Sequence, residues 1–258
     1  VEEGDALHIA LTQPAPRPDA TPEPDDDDHA WRDALSQANE RVFGGEVLRP
    51  TQRRAINALL RGQDVLVCMP TGAGKSRIFQ LPAVCREGLT LVIVPLISLM
   101  HDQVHSLQRR HVHAEMLGGG LSAEAQDSVH AQLGARPLRL QLLYVTPEKL
   151  MRHRRLLLQL KRLNEDGLLR CIAIDEAHCI SLWGHDFRHD YSQLGVLRRE
   201  LPRVPIVALS ATVNDVTRVD IKRCLGMGAC VEVGSSLNRA NLCYEVHERP
   251  ANDAAAYE

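Results

Sequence analysis

From Trp31 onward the chain alternates short apolar runs with stretches of helical periodicity, and that alternation admits few folds. Val65-Leu66-Val67-Cys68-Met69 is an unbroken apolar run, followed by a Gly-rich turn and a helix-compatible stretch from Lys75. Leu89–Val94 is a second run, stopped by Pro95, with a helix expected from about Leu96 to Arg110. Further strands are expected at Val112–Met116, Leu140–Val145, Cys171–Ile174 and Pro205–Leu209. Helical patterns fall at Ser122–Leu133, Pro147–Leu163, Tyr191–Glu200 and Asp215–Leu225. Short runs that stay apolar on both faces are the mark of strands covered on both sides. Strands separated by helices form right-handed βαβ units. The expected fold is therefore α/β, a mostly parallel sheet with helices on both faces, and its site should lie at the carboxyl ends of the strands.

Composition sets the limits of that domain. Of 258 residues, 44% are hydrophobic and 24% charged, enough to build a core. No apolar run reaches the ~18–20 residues that cross a bilayer, and the acidic start VEEGDALHIA does not read as a secretory signal. Seven cysteines without a Cys-x-x-Cys pair argue against a disulfide framework or zinc ribbon, and twelve scattered histidines show no metal spacing. The net charge of −3 is unevenly spread: the first 28 residues carry nine acidic side chains against Arg17 alone, and five of the fourteen prolines. Residues 1–30 are accordingly expected to form a disordered acidic tail, while the body that follows is net basic.

After the first strand comes Met69-Pro70-Thr71-Gly72-Ala73-Gly74-Lys75-Ser76. Backbone N–H groups of a Gly-rich turn feeding a helix make a cradle for phosphate oxygens. Thr71, Gly72, Ala73, Gly74, Lys75 and Ser76 are the candidate cradle, Lys75 reaching the β/γ-phosphates and Ser76 holding Mg²⁺. A hundred residues on, Cys171-Ile172-Ala173-Ile174 runs into Asp175-Glu176-Ala177-His178. A strand ending in two carboxylates places Asp175 to hold Mg²⁺ and Glu176 to activate a water against the γ-phosphate. Together the two stretches predict an ATPase using ATP and Mg²⁺.

DEAHCISLWGHDFRHDY (Asp175–Tyr191) resembles motif II and the adjoining aromatic-rich loop of the RecQ family of superfamily 2 DNA helicases. VPLISLMHDQV (Val94–Val104) resembles motif Ia, YVTPEKL (Tyr144–Leu150) the YxxPExL segment and LSAT (Leu209–Thr212) motif III. NRANLCYEV (Asn238–Val246) resembles the segment leading into the family's second motor domain. Phe43–Gln52 resembles motif 0, by which Gln52 would read the adenine edge and Arg49 would pack on the base. The resemblance implies a RecA-like P-loop domain over residues 31–240, with 241–258 beginning a linker. It adds His178 to the catalytic set and makes Ser210 and Thr212 coupling residues. This chain departs from the family pattern at Gly45, Leu48, Ala73, Leu182 and His189.

Aromatics are only 3% of the chain, yet Trp183, Phe187 and Tyr191 fall within nine positions beside Arg188. Bases stack on such rings and Arg adds charge toward phosphate. By resemblance Pro95, Ser98, Thr146 and Glu148 line the DNA path, although Thr146-Pro147-Glu148 is equally a good helix start. Arg152, Arg154, Arg155, Lys161 and Arg162 form a basic run on one expected helix, suited to phosphates or simply to solvent. The implied partners are single-stranded and partly duplex DNA, with no membrane, and the implied setting is repair and recombination; the acidic tail together with a DNA substrate gives the nucleus as the expected location. Family members bind ATP between two RecA-like domains, with an arginine finger in the second. The chain is therefore expected to be a first motor domain of a 3′→5′ helicase that turns over slowly by itself. The alternative is a nucleotide-dependent DNA-binding or regulatory module that does not unwind.

Overall fold

The computed structural model describes residues 31–181, 187–211 and 213–234. Seven strands form one sheet: β1 Val65–Cys68, β2 Leu89–Ile93, β3 Ala114–Leu117, β4 Leu142–Val145, β5 Leu169–Ile174, β6 Ile206–Ser210 and β7 Val231–Gly234. Their spatial order is β3-β4-β2-β5-β6-β1-β7 and every pairing is parallel. Ten α-helices are described: α1 Arg32–Phe43, α2 Pro50–Leu60, α3 Arg77–Cys85, α4 Ile97–Gln108, α5 Ala123–Gly134, α6 Pro147–Arg152, α7 Arg154–Glu165, α8 His189–Ser192, α9 Gly195–Glu200 and α10 Asp215–Leu225. Among the described residues, no helix is long and apolar enough to cross a membrane.

Successive strand residues face opposite sides of a sheet, and the core divides along that line. Val65, Val67, Val92, Tyr144, Ala173, Val207 and Leu209 meet α1 to α4 on one face. Leu66, Leu91, Ile93, Leu143, Ile172, Ile174 and Ala208 meet α5, α7, α9 and α10 on the other. Both faces being covered explains why the strands read as unbroken apolar runs.

Some boundaries differ from expectation for identifiable reasons. The stretch Pro147–Leu163 is two helices, because His153 adopts φ −108° and ψ 80° between α6 and α7. The basic run is split by that break, with Arg152 ending α6 and the other four residues on α7. Tyr191–Glu200 is likewise divided between α8 and α9. Strand β7 was not anticipated: Val231-Glu232-Val233-Gly234 is four residues at the sheet edge, with only Val233 buried.

One polar anchor joins the strand ends away from the site. Asp64, just before β1, accepts from the Ile206 N–H at 2.8 Å and from the Arg198 guanidinium at 2.6 Å. Arg198 also donates to the carbonyls of Pro202 and Val204. Asp64→Ala leaves a strand N–H without its acceptor and a largely buried guanidinium without its counter-charge, although its bonds to the backbone carbonyls remain. The expected loss is about 2–3 kcal/mol. A thermal melt should fall by roughly 5–10 °C, and an unchanged melt would show the anchor to be dispensable.

Candidate nucleotide and nucleic-acid site

The phosphate loop leaves β1 under firm control. Met69 N–H donates to the Ser210 carbonyl at 3.1 Å, and Ala73 N–H closes a turn onto Pro70 O at 3.2 Å. Backbone bonding resumes at Arg77, whose N–H reaches Gly74 O. The intervening N–H groups of Gly74, Lys75 and Ser76 have no backbone acceptor among the described residues. They precede the first turn of α3, which is where an anion is bound most favourably. Gly74 is required twice over: its φ is +79°, and a Cβ there would lie 2.6 Å from the Gln52 Nε2. Ala73, the departure from the family glycine, is buried without conflict. Lys75 Nζ donates to Met69 O at 3.1 Å, folded over the loop that it would serve.

Gln52 is not a surface residue but 4% exposed. Its Oε1 accepts from Arg49 N–H at 2.9 Å, and its Nε2 donates to the carbonyls of Gly74 at 2.9 Å and Ala73 at 3.4 Å. The amide is thus engaged by the phosphate loop, so reading an adenine edge would require exchanging one of these partners. Arg49 lies at the start of α2 with its side chain exposed. Leu48 is partly buried and packs against the core.

The carboxylates emerge two strands away. Asp175 N–H donates to Ile93 O at 2.9 Å, and the next residue turns sharply: Glu176 has φ 48° and ψ 46°, the left-handed region, uncommon for glutamate. Its N–H donates to Asp175 Oδ1 at 3.0 Å. Burial, and next the charge of Glu176, push the Asp175 carboxyl above its usual value. The Glu176 N–H, the Lys75 ammonium and a hydrogen bond from Gln103 act in the opposite direction. His178 Nδ1 is 3.0 Å from Ser210 Oγ and 3.4 Å from Glu176 Oε2. Ser210 is fully buried. It therefore ties the phosphate loop, through its carbonyl, to the carboxylate turn, through its hydroxyl.

These residues fit a nucleotide with a divalent cation. The loop offers open donors at a helix start, and the buried Asp175 beside Glu176 is short of positive charge. Among the described residues no cluster of three His, Cys, Asp or Glu is placed to hold a metal. Mg²⁺ binds through one or two protein oxygens together with phosphates and water, and the Asp175 carboxylate and Ser76 hydroxyl are oxygens of that kind.

The nucleic-acid candidates are placed unevenly. Phe187 is 36% exposed and Ser98 is exposed on the first turn of α4. Pro95 is buried, and its carbonyl accepts from the Arg188 guanidinium at 2.6 Å, so Arg188 is committed to the protein in part. Thr146 is buried and caps α6, accepting from Lys149 N–H at 3.3 Å, with Glu148 half-buried beside it. Tyr191 departs from the base-stacking expectation: it is fully buried, and its hydroxyl donates to Asp175 O at 3.0 Å. Trp183 and Thr212 lie outside the described residues, as do the expected tail 1–30 and linker 241–258. The sequence reading missed Gln80, Gln103 and Tyr144, a polar chain behind Asp175. A glutamine inside the apolar helix IFQLPAV was the available signal.

The sequence matches the DEAD/DEAH box helicase family over residues 49–219. It is 45% identical over 219 residues to the ATP-dependent DNA helicase Q-like 4B of Arabidopsis thaliana, covering 85% of this chain and 19% of that protein. It is 40% identical over 226 residues to the ATP-dependent DNA helicase Q1 of Rattus norvegicus, covering 88% of this chain and 36% of that one. The chain thus spans about a fifth to a third of the length of these relatives. Its resemblance to RecQ-type helicases, drawn from the motifs, is matched by their names. The crystal structure of the DUF1998 helicase MrfA bound to DNA superposes with a TM-score of 0.60 over 78% of this chain and 29% of that one, at 17% identity. The Pyrococcus furiosus Hef helicase domain does so with a TM-score of 0.51 over 71% and 37%, at 18% identity. At these identities the structural likeness is one of fold, a helicase RecA-like domain. The family match takes in the cradle, the carboxylate turn and Ser210, and this chain belongs to the DEAD/DEAH box helicase family.

Proposed function

We propose that this chain is the ATP-binding motor domain of a RecQ-like DNA helicase, coupling ATP hydrolysis to 3′→5′ movement along single-stranded DNA and strand separation. The observation that carries the reading is Ser210, which holds the phosphate loop and the DEAH turn together. In this reading Lys75 and the open loop N–H groups receive the phosphates, and Ser76 with Asp175 holds Mg²⁺. When bound, Mg²⁺ supplies neutralisation of phosphate charge. Glu176 takes the proton of the attacking water, and His178 keeps the Glu176 carboxylate in place from its seat on Ser210. Gln52 and Arg49 would face the base. Ser98, Glu148, Trp183, Phe187 and Arg188 would meet DNA, with Pro95 and Thr146 shaping that surface from beneath and Thr212 assisting Ser210 in coupling. Repair and recombination in the nucleus is the setting that this reading carries.

The test is ATP hydrolysis with and without single-stranded DNA. A base stacked on an aromatic ring is worth about 1–3 kcal/mol, or roughly 5- to 150-fold. Phe187→Ala should lower the ratio of DNA-stimulated to unstimulated rate by several-fold, and Trp183→Ala should act in the same direction. Because Phe187 is partly exposed, its melting temperature should change little. An unchanged ratio in both variants would remove the aromatic loop from DNA sensing.

A further inference from the structure

At the end of the sheet away from the nucleotide site lies a basic groove that the proposed function does not use. It crosses the amino ends of four neighbouring strands, β3, β4, β2 and β5. His113 precedes β3, Arg139 precedes β4, Arg86 precedes β2, and Arg170 is the second residue of β5. Arg170 lies across Gly88, where a Cβ would come 2.7 Å from its Cγ, and its Nε donates to the Glu87 carbonyl at 3.0 Å. Arg86 donates to the Leu60 carbonyl at 3.1 Å. Each guanidinium keeps further N–H donors beyond these bonds. Among the described residues no carboxylate ion-pairs with Arg86, Arg139 or Arg170, and the exposed Glu87 is the one acidic residue lining the groove.

The chain itself brings counter-charge to the rim. Trp31 heads α1, with the Arg86 Cζ 5.9 Å from its ring centre, and the Ala34 carbonyl of α1 accepts from the Cys85 Sγ at 3.6 Å. The helix therefore starts at the edge of the groove. Asp25-Asp26-Asp27-Asp28 ends three residues before Trp31, and three residues span at most about 10 Å. Blocks of like charge commonly serve as interaction segments, and a short tether sets an effective concentration on the order of millimolar. We propose that the groove of Arg86, Arg139 and Arg170 is a carboxylate-binding surface whose occupant is the chain's own acidic run, Asp25–Asp28. A nucleic-acid phosphate carries the same sign of charge, but it arrives from solution, whereas the run is anchored at the rim. Docked there, the run covers the basic groups at the far end of the sheet and leaves the carboxyl ends of the strands open. The groove shares no side chain with the nucleotide site, so its occupancy does not depend on ATP.

The experiment is modification of arginines by phenylglyoxal in the full chain, followed residue by residue by mass spectrometry, in low salt and in about 0.5 M NaCl. The comparison is a variant carrying Asp25→Asn, Asp26→Asn, Asp27→Asn and Asp28→Asn together, which alters no residue of the described fold. One exposed ion pair favours a docked state by roughly 1.5- to 5-fold, so three together give about threefold or more. In low salt Arg86, Arg139 and Arg170 should react at least about threefold more slowly in the parent than in the variant. The difference should vanish in high salt, and Arg154, exposed on α7, should react equally in both proteins. Equal rates at any two of the groove arginines in low salt would overturn the proposal. So would a slowing shared by Arg154, which marks the overall charge rather than docking. A short single-stranded DNA added to both proteins tests the other occupant. Protection of the groove arginines by DNA in both alike, with no difference between the proteins in its absence, would assign the groove to phosphates and overturn the proposal.

Discussion

Glu176→Gln should leave ATP bound and slow its hydrolysis by about 10²- to 10⁴-fold, the range of a lost general base. The substitution is a clean one here. Glutamine meets the same left-handed φ of 48° that glutamate already occupies, and the N–H bond from residue 176 to Asp175 Oδ1 belongs to the backbone. His178 keeps its contact with Ser210 Oγ. The change also removes the negative charge that helps to raise the Asp175 carboxyl. That carboxyl should therefore ionise more readily, and binding of the Mg²⁺–nucleotide pair should hold or tighten. Single-turnover hydrolysis with protein in excess, with Mg²⁺ and single-stranded DNA present, reads the chemical step directly. A parental rate in this variant would remove Glu176 from the role of base.

Lys75→Ala is expected to act on the earlier step. A charge-assisted hydrogen bond to phosphate contributes about 1.5–3 kcal/mol, or roughly 10- to 150-fold in affinity. In the structure the ammonium spends its bond on the Met69 carbonyl, and it must release that partner to reach a ligand. The loop itself should survive, because Met69 N–H remains on Ser210 O and the glycine conformations do not depend on the lysine. Calorimetric titration with a non-hydrolysable analogue and Mg²⁺, beside a thermal melt, separates loss of the contact from loss of the fold. Equal affinity in the two proteins would sink the assignment.

How much of this was legible in the sequence depends on what each residue touches. The central strands could be read because burial on both faces makes them apolar throughout, and Leu89–Val94 needed only Pro95 to mark its end. Edge strand β7 could not, since Val-Glu-Val-Gly alternates over only four residues, too few to stand out from a loop. The break at His153 was hidden because Arg152-His153-Arg154 contains no helix breaker, and φ/ψ at that position answers to tertiary packing. Lys75, Ser76, Asp175 and Glu176 announce themselves by local pattern. The bonds of Gln52 to the phosphate loop, of Gln103 to Gln80 and of Tyr191 to Asp175 do not, because they join residues 16 or more positions apart. An aromatic next to charged neighbours looks like a surface ring until the backbone places it inside.

The position of β6 has a mechanical consequence. This strand stands between β1, which delivers the phosphate loop, and β5, which delivers the carboxylates, and it is laddered to both. Neighbouring strands sit about 4.8 Å apart, so the two halves of the site are held roughly 10 Å apart by the sheet itself. The gap is therefore set by the stiffest part of the molecule, as a fixed jaw is set by its frame. Movement of the surrounding loops can open or shut access to it but cannot change its gauge. Ser210, solvent-free and wedged at the end of the frame, is placed to shim it, and a bulkier side chain there would spread both jaws at once.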